Sequence, residues 1–357
     1  MTTPAHVAII GGSNSLMAGG YVTKLPHALA ASGVDVTLTN LAVGANSCLD
    51  GLARAKSADL SGVDVTVIEY AINDRMLLSY CGEETWLNAY EGLVRHLRRE
   101  YPKMHVLPLI LGRRGKNFFA DQDVMRTGIM ALARRYTLPV VDFDALMHRE
   151  LPRFEEFKTI YRDGAHYLPP LIPSHLATMV AGAIAQCLLR GRPLEVPLPE
   201  PVGTGPFDDA QVMPLDALAP GELARERFEN SRFQADAVFL PVGTHLDLGQ
   251  EAGTPISVGY VSDRRSCDMV IETAGHRMRL HTQHELIATG EFEFLLRTTL
   301  PRRRHAAHLK GGPIRIHALH ADQLGPGSDE FQKGYKMLAN RSDGPQGLSL
   351  VRILRRL

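Results

Sequence analysis

The chain has 357 residues, 45% of them hydrophobic, and its 39 Lys and Arg residues balance 39 Asp and Glu residues, for a net charge of +0. This length exceeds the size at which a single core usually stops growing, so the sequence predicts two domains. Because basic residues are not in excess, the net charge gives no reason to expect binding to a polyanion such as a nucleic acid, and no nucleic-acid partner is expected.

The cysteines and the apolar segments indicate the compartment. The four cysteines show no C-x-x-C spacing, which predicts neither a disulfide framework nor a cysteine zinc site. The first residues lack a basic segment followed by a long apolar stretch, so no secretory signal is predicted. No stretch approaches the ~20 apolar residues of a membrane span. We therefore expect a cytoplasmic protein without a membrane span.

Residues 5–190 alternate short β-branched runs with helical patterns, which is typical of βαβ units in a parallel sheet. The predicted strands are His6–Ile10, Val34–Leu41, Val63–Tyr70, His105–Leu111 and Pro139–Phe143. Apolar residues at helical spacing predict helices over Glu84–Glu100, Asp121–Tyr136 and about Ser174–Leu189. Residues 1–191 are therefore predicted to form a three-layer, flavodoxin-like α/β domain.

Residues 192–220 are rich in proline and are predicted to form a linker or a wrapping strap. Over residues 221–357, short alternating runs separated by Gly, Pro and Asp predict an antiparallel β-sandwich or jelly-roll domain, a candidate for carbohydrate binding. The predicted strands are Ala237–Leu240, Ile256–Val261, Asp268–Glu272, Arg277–His281, Glu291–Thr298, Pro313–Ala318 and Leu348–Leu354.

Neither a metal nor a cofactor is expected. The histidine pairs His305-x-x-His308 and His317-x-x-His320 do not predict a zinc site, because Ile314–Leu319 has the pattern of a strand, on which residues three apart face opposite sides. Neither G-x-G-x-x-G nor G-x-x-x-x-G-K-[ST] follows the first predicted strand, so a nucleotide cofactor is not expected.

Short segments after the predicted strands carry the groups that acyl transfer through serine needs. Ser13 lies in a glycine-rich turn after the first strand, at the edge where open α/β sheets place their sites. Gly44 and Asn73 follow the second and third strands and would supply the donors of an oxyanion hole. Asp163 and His166 stand three residues apart, which lets the carboxylate orient a histidine base. Taken singly, each is more often an ordinary turn, capping or loop residue, but together they predict a serine hydrolase.

These segments resemble the sequence blocks of the SGNH hydrolase superfamily, also called GDSL-type esterases and lipases, over roughly residues 5–190. The resemblance implies a serine nucleophile whose N–H joins a glycine and an asparagine in the oxyanion hole, with an aspartate and a histidine completing the triad. Carried over, these roles fall on Ser13, Gly44, Asn73, Asp163 and His166.

Two blocks depart from the family pattern. The Gly-Asp-Ser of the first block is Gly11-Gly12-Ser13 here, and the Gly-x-Asn-Asp of the third block is Ala71-Ile72-Asn73-Asp74. Neither departure removes a proton-transfer or oxyanion group. Gly12 lacks the side chain that usually braces the serine loop, and Ala71 adds a methyl group, so substrate shape or rate is expected to be affected.

The substrate is predicted less directly than the chemistry. Arg113, Arg114 and Lys116 follow the fourth predicted strand at the active-site edge and, with Asn14, are candidates for binding a polar or acidic substrate. The first hypothesis is a serine esterase that removes O-acetyl groups from a carbohydrate, by analogy with superfamily members that carry a β-sandwich. The alternatives are an O-acyltransferase acting on a polysaccharide or glycoside, and a glycan-binding protein with an inactive hydrolase domain. The expected partner is a small-molecule or glycan ester, and the oligomeric state is not predicted.

Overall fold

The computed structural model describes residues 4–115, 123–193, 195–213, 223–230, 233–249, 253–273, 276–299, 313–320, 329–332 and 345–356. The chain divides into two compact units, Met1–Asp209 and Ala210–Leu357.

A sheet of parallel strands forms the centre of the first unit, in the order β2-β1-β3-β4-β5. The strands are β1 Ala5–Gly11, β2 Val36–Asn40, β3 Val65–Glu69, β4 His105–Ile110 and β5 Val141–Asp142. All residues of β3 are buried, as expected for a central strand covered by helices on both faces. The predicted flavodoxin-like α/β domain is confirmed.

The helices of this unit connect the strands and cover the sheet. They are α1 Tyr21–Ala31, α2 Cys48–Ser57, α3 Asp74–Cys81, α4 Glu83–Glu100, α5 Val124–Tyr136, α6 Phe143–Glu150, α7 Phe154–Phe157 and α8 Leu171–Leu189. The strand predicted over Pro139–Phe143 is shorter than expected, because Asp142 accepts the N–H of Ala145 and caps α6. Similarly, Asp123 caps α5 and sets its start.

Helix α8 meets the length and composition criteria for a membrane span, so the statement that no stretch approaches one needs correction. In the structure this helix packs its buried face into the core of the first unit. That face comprises Leu176, Ala177, Val180, Ala181, Ile184 and Cys187. Core helices of soluble proteins pass the same criteria, so one such helix is weak evidence for a membrane.

The proline-rich segment is divided between the two units. Its residues up to Asp209 belong to the first unit, whereas Gln211–Met213 form a strand of the second unit. Residues 214–222 lie outside the described part of the chain. The predicted linker or wrapping strap over 192–220 thus extends across the boundary between the two units.

The part of this segment that runs over α4, residues 199–208, is called the strap here. Glu91 of α4 is 0% exposed and accepts the N–H groups of Val202 at 2.8 Å and Gly203 at 2.6 Å. Arg95 donates through Nη1 to the carbonyl of Pro199 at 2.8 Å. These bonds satisfy backbone groups that proline-rich chain cannot pair within itself.

Replacing Glu91 by alanine is expected to destabilise the first unit by about 3 kcal/mol, because two strap N–H groups and the Tyr136 hydroxyl would lose their acceptor. Denaturant unfolding of the full chain measures the change. Glu84→Ala is the matched control on the same helix, since Glu84 is exposed and binds only the Thr204 hydroxyl of the strap. Equal stability of the two variants would contradict this role of Glu91.

The second unit consists of two sheets. Its strands are β6 Gln211–Met213, β7 Arg225–Asn230, β8 Phe233–Pro241, β9 His245–Asp247, β10 Thr254–Asp263, β11 Asp268–Thr273, β12 His276–His281, β13 Phe294–Thr299, β14 Arg315–Leu319, β15 Asp329–Gln332 and β16 Gly347–Arg356. A short helix, α9 Glu285–Ala288, precedes β13.

One sheet of the second unit has the order β13-β10-β16-β8-β7, with β6 paired to β16, and the other has the order β15-β12-β11-β14-β9. A shared core contains side chains from both sheets, among them Val258, Leu350, Met269 and Ile316. The predicted antiparallel sandwich is confirmed, with the exception that β12 and β15 pair in parallel.

Candidate active site

Ser13 begins a 3-10 turn, Ser13–Ser15, directly after β1. The turn closes with the N–H of Leu16 donating to the carbonyl of Ser13 at 3.0 Å. On its other side, the N–H of Gly12 donates to the carbonyl of Glu69, the last residue of β3, at 3.0 Å. Ser13 is half-buried and lies at the carboxyl edge of the sheet, where the sequence predicts the site.

Ser13, His166 and Asp163 form a continuous chain of hydrogen bonds. His166 Nε2 lies 2.8 Å from Ser13 Oγ. His166 Nδ1 lies 2.8 Å from Asp163 Oδ2. The other oxygen, Asp163 Oδ1, accepts the N–H groups of Ala165 at 2.8 Å and His166 at 2.9 Å. These hydrogen bonds form the turn that brings the His166 imidazole back to the Asp163 carboxylate.

Hydrogen bonds around Asp163 stabilise its ionised form. Partial burial raises its pKa, but the hydrogen bonds from the Ala165 N–H and from the side chain and N–H of His166 outweigh burial, so the pKa lies below the ordinary value for aspartate. An ionised carboxylate at Nδ1 keeps the proton there and leaves Nε2 to accept one from Ser13.

Residues 161–167, called the histidine loop here, are anchored on several sides. Arg162 N–H donates to the carbonyl of His166 at 2.8 Å within the loop. Arg114 N–H, from the segment after β4, donates to the carbonyl of Gly164 at 3.1 Å. Asn14 Nδ2, from the serine turn, donates to the carbonyl of Ala165 at 3.0 Å. The serine and histidine loops are therefore connected directly.

Gly44 and Asn73 lie next to the serine turn. A Cβ on Gly44 would be 3.7 Å from Ser13 Cβ. A Cβ on Gly12 would be only 2.3 Å from Asn73 Oδ1 and 2.7 Å from Asn73 Nδ2, so the asparagine amide lies against the backbone that leads into Ser13. Within the described residues, the N–H groups of Ser13 and Gly44 and the Asn73 amide donate to no protein acceptor. They form a set of unused donors beside Ser13 Oγ.

The absence of a side chain at Gly12 lets the Asn73 amide lie against the serine turn in this chain. A side chain at position 12 would occupy the space of the Asn73 amide. The other departure, Ala71, is 2% exposed, so its methyl group is buried. Bracing of the serine loop comes from Asn14 and from Glu69 below it.

Two buried carboxyl groups near the site, Asp74 and Glu69, were not predicted as functional from the sequence. Asp74 accepts the N–H of Cys48 at 2.7 Å, at the start of α2, and the indole N–H of Trp86 at 3.1 Å. Burial raises the pKa of Asp74 to about 7, although hydrogen bonds from Cys48 and Trp86 lower it. Asp74 thus links the segment that follows Gly44 to the helix that follows Asn73. A carboxyl group at the end of an apolar strand, as at Glu69, was the available signal.

The predicted substrate-binding residues have different surroundings. Arg113 and Arg114 are exposed next to the histidine loop. Asn14 is only 4% exposed, and its amide donates to Ala165, so its side chain serves the interior of the site rather than facing substrate. Lys116 lies outside the described residues, as do His305 and His308. In the described part of the chain, no cluster of three or more metal-ligating side chains occurs.

A parallel sheet of order 2-1-3-4-5, with serine, histidine and aspartate joined at its carboxyl edge, defines an SGNH hydrolase fold. Residues 9–166 match the model of the GDSL-like Lipase/Acylhydrolase family. The resemblance seen in the sequence is confirmed over these residues.

Solved structures of two-domain proteins align with residues of both units. Two crystal structures of a two-domain esterase active on acetylated mannans, one of them co-crystallized with mannopentaose, each give a TM-score of 0.65 at 18% sequence identity. The alignments cover 99% of this chain and 90% or 91% of those chains. A lipase/acylhydrolase from Enterococcus faecalis aligns with 54% of this chain and 100% of its own, at 18% identity and a TM-score of 0.42. No curated protein matches this sequence.

Proposed function

We propose that this protein is a serine esterase that hydrolyses an ester bond through an acyl-serine intermediate. The observation that carries the proposal is the chain of hydrogen bonds from Ser13 through His166 to Asp163, beside donors that no protein group uses. Acyl transfer needs a nucleophile, a base, a group that orients the base and an oxyanion hole. Residues with the chemistry of each of these groups lie at the carboxyl edge of the sheet, which supports the proposal.

In the acylation step, His166 Nε2 takes the proton of Ser13 as Oγ attacks the ester carbonyl carbon. The new bond places negative charge on the carbonyl oxygen, which the N–H groups of Ser13 and Gly44 and the Asn73 amide stabilise. His166 then gives its proton to the departing alcohol oxygen, and the C–O bond breaks. Asp163 stabilises the imidazolium form between these two transfers.

In the deacylation step, water takes the place of the alcohol. His166 removes a proton from the water as its oxygen attacks the acyl carbon, and the same donors hold the second oxyanion. The proton returns to Ser13 Oγ as the acid is released. One histidine therefore acts as base and as acid in each half of the reaction.

The proposed substrate is an O-acetylated carbohydrate. Support comes from the likeness of both units to a two-domain esterase that acts on acetylated mannans. At 18% identity that likeness concerns the fold, so the substrate class is inferred by analogy. The exposed side chains of Arg113 and Arg114, next to the histidine loop, are proposed to contact the polar groups of such a substrate.

Acetate release from acetylated mannan and acetylated xylan tests the substrate proposal, with p-nitrophenyl acetate and a long-chain p-nitrophenyl ester as reference substrates. We expect acetate release from at least one glycan, little turnover of the long-chain ester, and loss of all activity in Ser13→Ala. Cleavage of p-nitrophenyl acetate without acetate release from either glycan would contradict the carbohydrate assignment. Transfer of acetyl groups to added oligosaccharide in preference to water would favour the acyltransferase alternative.

A further inference from the structure

Glu69 is a buried carboxyl group directly beneath the serine turn, and the mechanism above does not use it. It is the last residue of β3, and its side chain is 0% exposed. A Cβ on Gly11 would lie 3.0 Å from Glu69 Cβ, which places the group against the backbone that leads to Ser13. Burying a carboxyl group costs free energy, so its presence here needs a compensating interaction.

One oxygen of Glu69 binds residues that lie before and after Ser13 in the chain. Glu69 Oε2 accepts the hydroxyl of Ser15 at 3.0 Å and, at 3.3 Å, the N–H of Gly12, which it shares with the Glu69 backbone carbonyl at 3.0 Å. Ser15 Oγ also lies 2.9 Å from the Tyr21 hydroxyl, so the same contacts tie the turn to α1. Ser13 stands between the two residues that Glu69 binds.

We propose that Glu69 is a positioning residue of this active site: its carboxyl group fixes Gly12 and Ser15 and thereby sets the direction of the Ser13 hydroxyl and N–H. The inference rests on the serine esterase function proposed above. Glu69 does not touch the reacting atoms and acts through the turn. Reacting groups need precise placement, and a misplacement of about 1 Å costs on the order of 100-fold in rate.

The surroundings of Glu69 favour its neutral form. Glu69 Oε1 has no hydrogen-bond partner within the described residues, so a carboxylate would leave a charged oxygen without compensation. Burial raises the pKa of Glu69 to about 8, although hydrogen bonds from Ser15 and Gly12 lower it. Four titratable side chains of the described residues interact electrostatically with Glu69, and each of them is an acid. They are Tyr21 of α1, Asp74 of α3, Tyr90 of α4 and Tyr167 of the histidine loop.

Ionisation of Glu69 is expected to oppose catalysis. A negative charge beneath the serine turn would raise the energy of the oxyanion that forms above it, so activity should decrease as the pH rises through about 8. Stability should follow the same group. Because its pKa rises from 4.5 to about 8 on folding, the folded protein keeps a proton that the unfolded chain loses, and stability decreases as the pH rises between these values.

The test compares the wild type with Glu69→Gln and Glu69→Ala from pH 6 to pH 9.5. The measurements are kcat and KM for p-nitrophenyl acetate, the rate of labelling by a fluorophosphonate, and thermal unfolding. Glu91→Gln is the matched control, because Glu91 is also 0% exposed and accepts backbone N–H groups in the same unit, but it binds the strap.

We expect Glu69→Ala to lower kcat on the order of 10- to 100-fold with little change in KM. Glu69→Gln, which keeps an acceptor and carries no charge, should retain kcat at pH 7 within about threefold and lose the decrease above pH 8. Its thermal stability should also depend less on pH than that of the wild type, whereas Glu91→Gln should keep the wild-type pH profiles. The proposal would be overturned if kcat of Glu69→Gln decreased above pH 8 as it does in the wild type, or if Glu69→Ala kept the wild-type kcat.

Failure of the esterase proposal itself would look different, because the wild type would show neither turnover nor labelling at any pH. Hydrogen–deuterium exchange of residues 11–16 then decides the role of Glu69. Exchange that is faster in Glu69→Ala than in the wild type and Glu69→Gln is expected, since only the alanine variant releases the turn. Equal exchange in all three proteins would overturn the positioning role.

Discussion

Replacing His166 by alanine is expected to lower kcat for ester hydrolysis by roughly 10⁴-fold or more, because Ser13 loses the base that lies 2.8 Å from its hydroxyl. Asp163→Asn should approach the same loss. Because Oδ1 accepts two backbone N–H groups, the asparagine would keep its oxygen there and face Nδ1 with its NH₂ group, so the imidazole would adopt the tautomer that cannot take the Ser13 proton. KM should change little in both variants, since neither group is expected to bind the ground state strongly.

Steady-state kinetics on p-nitrophenyl acetate measure these losses, and His27→Ala is the matched control, as His27 is exposed on α1 of the same unit. His166 and Asp163 have side chains that are 29% and 49% exposed, so their replacement should leave folding intact. A double variant no slower than the His166 variant is expected, because the two residues act as one unit. A His166→Ala protein with wild-type kcat would contradict the assignment of the base.

The second large decrease in kcat is expected from the addition of a single methyl group at position 12. Gly12→Ala would place a methyl group 2.3 Å from Asn73 Oδ1, so the amide must move away from the serine turn. Losing one donor of an oxyanion hole costs about 10²- to 10³-fold in kcat, and we expect a decrease at the lower end of this range. Gly182→Ala is the control, because a Cβ there meets no atom within 4 Å.

A double-mutant cycle identifies the route of this effect. If Gly12→Ala acts by displacing Asn73, then adding it to Asn73→Ala should cost little more, because the donor is already absent. Additive losses would show that the methyl group disturbs the serine turn by another route. Thermal unfolding of each variant separates a change in geometry from a loss of stability.

The strand ends that bear the site could be predicted from the sequence because each follows a short β-branched run. In a parallel sheet, such ends meet at one edge, and the structure brings Ser13, Gly44 and Asn73 together there. The turn from Asp163 to His166 was readable for the same reason of locality, since its hydrogen bonds lie within four residues.

Contacts between distant segments could not be read in this way. Asn14 was expected to face substrate, but its partner is a carbonyl 151 positions away. Glu69 was passed over because a sequence does not show that its carboxyl group turns inward, 54 positions from Ser15. The clash that a side chain at position 12 would make with Asn73 likewise depends on tertiary geometry. From the sequence, Gly12 could only be described as lacking the side chain that usually braces the serine loop.

The second unit shows a limit of reading strands from alternation. Strands whose residues are mostly buried, such as β10 and β16, were predicted near their observed bounds. Strand β7, Arg225–Asn230, was missed because four of its six residues are charged and its position is at the edge of its sheet. Edge strands carry charged residues that discourage further pairing, so their sequences resemble loops.

The most direct test of the account is the reaction of the full chain with a fluorophosphonate, followed by intact mass measurement and peptide mapping. The account predicts one adduct per chain in the wild type, located on Ser13. It also predicts no adduct in Ser13→Ala and strongly slowed labelling in His166→Ala, with p-nitrophenyl acetate hydrolysis lost in parallel. An adduct on another residue, or undiminished hydrolysis by Ser13→Ala, would contradict the proposed acyl-serine mechanism.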